Sequence, residues 1–192
     1  MAWKTLKYRL TSDAPLLMHN GQTADPLNKW AKLIKVITSK RKKTDADHEE
    51  IARLEFYAGL YLDADGPILP NNMIDALIIN AAKKFNEGPM AKSGCLCLEH
   101  AKLEYEGPRT ADELWADENF RFSAIVRVGT SRLPRMRPIF QEWSTIITLQ
   151  IENSLINITR MDEWLDAAGK QVGLGDWRPV YGRFTAKRVN GK

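Results

Sequence analysis

Four arginines, Arg127, Arg132, Arg135 and Arg137, stand within eleven residues that hold no acidic side chain. A planar guanidinium presents a fork of donors that suits phosphate oxygens and base edges better than a lysine ammonium does. Gly129, Pro134 and Pro138 in the same stretch argue against a helix, so the arginines are expected on a loop or long hairpin tip. A second basic run, Lys40, Arg41, Lys42 and Lys43, follows Lys29, Lys32 and Lys35 in a polar segment; charge runs of this kind are usually solvated surface. Further on, Trp177, Arg178, Tyr181 and Arg183 are interleaved with Gly173, Gly175 and Gly182. Glycines permit close backbone approach to a ligand or a neighbouring chain, rings stack on bases, and arginines neutralise phosphate. The competing reading is a plain helix-to-strand loop whose glycines only make turns.

The charge distribution points the same way. Over the whole chain 28 Lys and Arg face 24 Asp and Glu, a formal +4. Residues 121–192 alone carry 12 basic against 6 acidic side chains, which leaves 16 against 18 for residues 1–120. The excess therefore sits in the part that holds the arginines and the glycine-rich stretch, as a polyanion-binding face would require.

Signals for catalysis are weaker. His19 lies six positions before Asp25, a pair able to do acid and base chemistry or to hold a divalent ion, against the plainer reading of a solvated loop. Cys95, Cys97 and His100 offer three soft ligands, but the cysteine spacing is not that of a zinc site and two cysteines on an apolar strand are more often core. No metal site is expected. A nucleophile elbow, a zincin helix, a dinucleotide fingerprint and a P-loop are all missing from the sequence. No cofactor is implied, save magnesium if the protein is a nuclease.

The elements that must position these residues follow from periodicity. Leu6, Tyr8 and Leu10 alternate with Lys7 and Arg9, which predicts a first strand. Trp30, Leu33, Ile34 and Ile37 recur at helical spacing, and a second short helix is expected over 49–59 after a polar, exposed connection. Asn71 or Asn72 is expected to cap a helix whose Met73, Ile74, Leu77, Ile78 and Ala81 form one apolar face. Residues 95–105 read as a strand, 120–128 and 145–151 alternate as strands, and the arginine segment joins that last pair. Thr159 with Asp162 resembles a capping box for a helix ending at Gly169. A final strand covers RFTAKRV. The order predicts an α+β fold: a ferredoxin-like (RRM-like) βαββαβ core in one domain over 1–192, with a helical insertion at 27–59 and a basic hairpin at 129–143.

Together, HNGQTADP after the first strand, the turn GPILPNN opening the helix, the arginine hairpin and the closing VGLGDWRPVYGRF resemble the RAMP superfamily, specifically the backbone subunits of CRISPR effector complexes. Ile68 to Asn72 match the turn, and Gly173, Gly175 and Gly182 match the closing loop. The resemblance implies a single-stranded nucleic-acid-binding protein, RNA preferred over DNA, that assembles side by side along its ligand into a linear or helical oligomer. Residues 131–140 would be the thumb that kinks the strand. Arg127, Arg132, Arg135, Arg137, Lys40, Arg41, Lys42 and Lys43 would meet phosphates, Trp177 and Tyr181 would stack, and Arg178 and Arg183 would fix the backbone. Some members of the superfamily cut the bound RNA with a loop aspartate and a divalent metal. Asp25, with His19, is the candidate for that alternative. A third possibility is an interaction module that occupies or mimics a slot in a CRISPR-type complex, with other such subunits as partners. The N-terminus MAWKTLKYRL alternates polar and apolar residues where a secretory signal would carry an unbroken apolar stretch, which predicts a cytoplasmic protein, of a prokaryotic cell or a phage-infected host, and no stretch is apolar enough to predict a membrane span.

Overall fold

The computed structural model of the chain describes residues 2–189. Its strands are β1 (Trp3–Ser12), β2 (Leu16–Leu17), β3 (Leu62–Asp63), β4 (Gly66–Leu69) and β5 (Cys95–Cys97), then β6 (Ala101–Lys102), β7 (Arg121–Val128), β8 (Ser131–Phe140), β9 (Ser144–Glu152) and β10 (Phe184–Val189). The helices are α1 (Lys29–Thr38), α2 (Asp45–Gly59), α3 (Asn71–Ala82), α4 (Gly88–Gly94), α5 (Ala111–Ala116) and α6 (Ile158–Ala167). The protein is α+β, built on several small antiparallel sheets. The described residues divide into two compact units, one of residues 2–17, 62–106 and 140–189, the other of 18–61 and 107–139. Among the described residues no helix is long and apolar enough to cross a membrane.

The first unit is organised by a four-stranded sheet in the order β10-β1-β9-β5, every neighbouring pair antiparallel. Period-2 patterning sets the register. Leu6 lies opposite Leu149, Tyr8 opposite Ile147 and Leu10 opposite Thr145, so all six buried side chains fall on one face. Across β9, Cys97 meets Leu149 and Cys95 meets Ile151. Helix α3 packs against α4, α6 and β5, and α6 also packs against β10. The side chains of Ile74, Leu77, Ile78, Met161, Trp164 and Leu165 are buried there. Burial of this kind stabilises by roughly 1.5–3 kcal/mol per large side chain.

Several local expectations are corrected. Helix α3 has neither Asn71 nor Asn72 as its side-chain cap; Pro70 occupies the N-cap, and the His100 imidazole Nδ1 accepts from the Asn71 N–H at 3.1 Å. Helix α6 is capped by Asn157, whose side chain accepts from Arg160 N at 2.8 Å, because Thr159 already lies inside the first turn. The 95–105 segment is two short strands rather than one: β5 joins β9, while β6 joins β4.

In the second unit, α1 and α2 pack together. Helix α2 begins four residues earlier than the periodicity indicated, because Thr44 and Asp47 form a capping box inside the charged run. Lys40 bonds Asp47 at 2.6 Å, and that ammonium, with the Thr44 N–H, holds the Asp47 carboxyl down at about 2. Strands β7 and β8 form a hairpin with a two-residue turn, Gly129 and Thr130, between Val128 and Ser131. Gly129 takes a φ of +62°, the left-handed conformation that primed hairpin turns need. Phe56 meets Trp115 of α5 edge to face at 5.5 Å, and the Arg121 guanidinium lies 4.8 Å from the centre of the same indole.

Candidate nucleic-acid interface

The hairpin register decides what the four arginines can do. They lie on strands rather than on a tip loop: the turn is too short to hold them, and β8 pairs with β7 along 131–138. Side chains directly opposite one another share a face. Arg127 is paired with Arg132, both exposed, next to the pair formed by Ile125 and Pro134 two positions along. Arg135 and Arg137, opposite Ala124 and Phe122, belong to the other face. The four divide into two pairs with different surroundings.

On the first face two guanidinium groups are set cross-strand, where like charges are destabilising. The Arg127 Nε donates to the Gly129 carbonyl at 3.0 Å, which ties that side chain to the turn. Among the described residues no carboxylate forms an ion pair with Arg132. Ile125 is 73% exposed on the same face, so the tip presents two cations beside an apolar side chain. Two guanidinium forks are groups able to contact phosphate oxygens, and the exposed isoleucine offers an apolar surface next to them.

On the second face Arg135 is committed to the protein. Its guanidinium forms an ion pair with Glu55 of α2, and the other Glu55 oxygen accepts from the Met136 N–H at 3.0 Å. The Glu55 side chain is only 9% exposed and the Arg135 side chain 31%. Arg135→Ala would strand a nearly buried carboxylate with one backbone donor, and is expected to cost about 2 kcal/mol, less than a fully buried pair because Arg135 is a third exposed. Chemical denaturation checks this: the loss should be largely restored by adding Glu55→Gln, whereas an Arg135→Ala protein of parental stability would contradict it.

Arg135 and Arg137 line a cleft of about 380 Å³ with His19, Lys35, Glu55 and Ala58. His19 thus joins the arginines, but Asp25 does not line this cleft. Its carboxylate accepts from the Leu27 N–H at 2.8 Å and closes an Asx turn. Among the described residues no group of three or more His, Cys, Asp or Glu is placed to hold a metal ion. Cys95 and Cys97 are buried free thiols, pushed up to about 12 and about 11 chiefly by that burial and next by the Asp75 carboxylate. Such thiols are protonated at neutral pH and poor nucleophiles. In the basic run, Lys40 is spent on Asp47 and Lys43 Nζ on the Lys40 carbonyl at 3.0 Å, while Arg41 and Lys42 are exposed.

The glycine-rich loop belongs to the first unit, and its glycines serve the chain's own backbone. Gly182 has a φ of +72°, and a Cβ there would stand 1.8 Å from the Leu174 carbonyl oxygen. Gly175, at φ +76°, would bring a Cβ 2.2 Å from the Leu17 oxygen. The approach is used by hydrogen bonds: Leu174 N–H to Gly182 O, Gly182 N–H to Pro15 O and Asp176 N–H to Leu17 O, all 2.7–2.9 Å. The loop is thereby pinned, and it displays Trp177, Arg178 and Arg183 as exposed side chains with Tyr181 half-buried. The Trp177 and Tyr181 rings lie 6.3 Å apart.

Arg178 also lines a groove of about 520 Å³ with Lys83 and Lys84 at the end of α3, together with Asn80 and Gln171. Sequence reasoning missed these two lysines. They lie in the short 3₁₀ turn that follows α3, where a cationic pair complements the helix dipole and carries no other local signal. Lys35 was visible only as one of several lysines in a polar helix. Compared with known proteins, the chain matches no family model and no curated protein sequence.

Proposed function

We propose that the protein binds single-stranded nucleic acid, RNA in preference to DNA, and assembles side by side along it as the backbone subunits of CRISPR effector complexes do. The observation that carries this reading is the cross-strand pair Arg127 and Arg132 at the hairpin tip beside exposed Ile125. Two like charges held opposite each other on a rigid ladder cost stability unless an anion lies between them. A phosphodiester strand supplies that anion, and the adjacent apolar side chain suits an unstacked base.

Two further features support the reading. In the first unit, the four strands of the main sheet and the helices α3 and α6 occur in the order β1, α3, β5, β9, α6, β10, with β2, β3, β4, α4 and β6 between them, and the sheet order places the last strand beside the first and the third beside the second. This order supports a ferredoxin-like βαββαβ core, which we propose for this unit. The pinned loop offers a second set of groups, Trp177 and Tyr181 for stacking and Arg178 and Arg183 for phosphate. A module of net charge +4 binds a strand weakly by itself, so contacts between neighbouring copies would add cooperativity.

Size-exclusion chromatography of the full chain at low salt tests this. A large assembly with raised absorbance at 260 nm that collapses on RNase treatment is the expected result. A nucleic-acid-free monomer that also ignores added single-stranded RNA would refute the proposal.

A further inference from the structure

We propose that the groove of the first unit lined by Lys83, Lys84 and Arg178 holds the sugar-phosphate backbone of the strand, and that Asn80 and Gln171 within it tell ribose from deoxyribose. The inference rests on the single-strand reading above and adds the place from which the preference for RNA comes. Phosphate contacts cannot supply that preference, because RNA and DNA present the same phosphodiester. The 2′-hydroxyl can, since it both donates and accepts a hydrogen bond and is missing from DNA. A discriminating site therefore needs neutral hydrogen-bonding groups set beside cations that hold the neighbouring phosphates.

The groove, of about 520 Å³, has that composition. Three segments build it: Asn80 in the last turn of α3 with Lys83 and Lys84 just after it, then Gln171, then Arg178. Among the described residues no carboxylate lines it, and neither Lys84 nor Arg178 forms an ion pair. Lys83 Nζ donates to Asn80 Oδ1 at 3.2 Å. That bond ties a cation to an amide, leaves the ammonium two further N–H donors, and leaves the Asn80 NH₂ group to donate elsewhere. Gln171 is exposed and brings a second amide, with both a donor and an acceptor. Trp177, the residue before Arg178, is 39% exposed and takes a φ of +52°, a left-handed conformation in which a bulky residue is strained. Its indole is next in the chain to the groove and gives a base of the held strand a surface to stack on. No residue of the groove belongs to the hairpin, so the two contacts can be removed separately.

Fluorescence anisotropy of the full chain, freed of nucleic acid, tests the proposal with one sequence of A and C made as single-stranded RNA and as DNA. The parent is expected to prefer RNA. Asn80→Ala with Gln171→Ala should weaken RNA by about threefold or more, as loss of one or two hydrogen bonds does, and leave DNA unchanged. Gln171→Ala alone, at an exposed position that cannot disturb folding, should move the ratio the same way. Lys83→Ala with Lys84→Ala should weaken both strands alike and make the salt slope shallower by about 1.4. Arg127→Ala with Arg132→Ala should also weaken both alike and keep the ratio. An amide variant with the parent's RNA-to-DNA ratio, a lysine variant with the parent's slope, or a hairpin variant that loses the ratio would each overturn the groove while the single-strand reading stands. A parent that binds neither strand would instead refute that reading, and this inference with it.

Discussion

Gly182→Ala is expected to destabilise the protein by at least about 3 kcal/mol, a large part of the total stability of an ordinary domain. Two costs add. At φ +72° an L-residue pays roughly 1–2 kcal/mol for the left-handed conformation alone. The new Cβ would also stand 1.8 Å from the Leu174 carbonyl oxygen and 2.7 Å from the Leu174 nitrogen, both backbone atoms that have no rotamer to escape into. Relief requires the loop to open, breaking the bonds from Leu174 N to Gly182 O and from Gly182 N to Pro15 O. Gly21→Ala is the control, because a Cβ there meets nothing within 4 Å; it should change stability by less than about 0.5 kcal/mol. Urea denaturation of both variants decides. A Gly182→Ala protein within 1 kcal/mol of the parent would show that the loop is not held as described.

How much of this was legible in the sequence depended on whether the signal was local. Leu6, Tyr8 and Leu10, and likewise Ile147, Leu149 and Ile151, alternate strictly, so β1 and β9 could be read from period alone. The apolar stripe of α3 was equally plain. What escaped was either hidden in a charge run or distant along the chain. Thr44 and Asp47 form an orthodox capping box, but between lysines and aspartates they read as solvated surface. Glu55 and Arg135 are 80 residues apart, so nothing nearby marks this arginine as structural and Arg132 as exposed. His100 caps α3 from 29 residues away. The glycine-rich loop was legible as a place of close approach, yet only the fold shows that the approaching backbone is the chain's own.

The same division among the arginines sets the second large effect. Arg127→Ala with Arg132→Ala should weaken single-stranded RNA binding by roughly tenfold to a hundredfold at low salt, across sequences, because phosphate contacts carry no base information. Stability should hold or rise slightly, since the change removes a like-charge cross-strand pair and breaks no ion pair among the described residues. Arg135→Ala should behave in the opposite sense, losing stability first. A variant that bound more weakly only because it had unfolded would therefore be recognised by its denaturation midpoint.

The most direct test of the central claim is the salt dependence of RNA affinity for the parent and the Arg127→Ala, Arg132→Ala double variant. Each phosphate contact to a single strand contributes about 0.7 to the slope of log affinity against log salt. The parent is expected to show a steep negative slope, and the double variant one shallower by about 1.4. Equal slopes for the two proteins, or a parent whose affinity does not change with salt, would contradict the assignment of the hairpin tip as the phosphate-binding element.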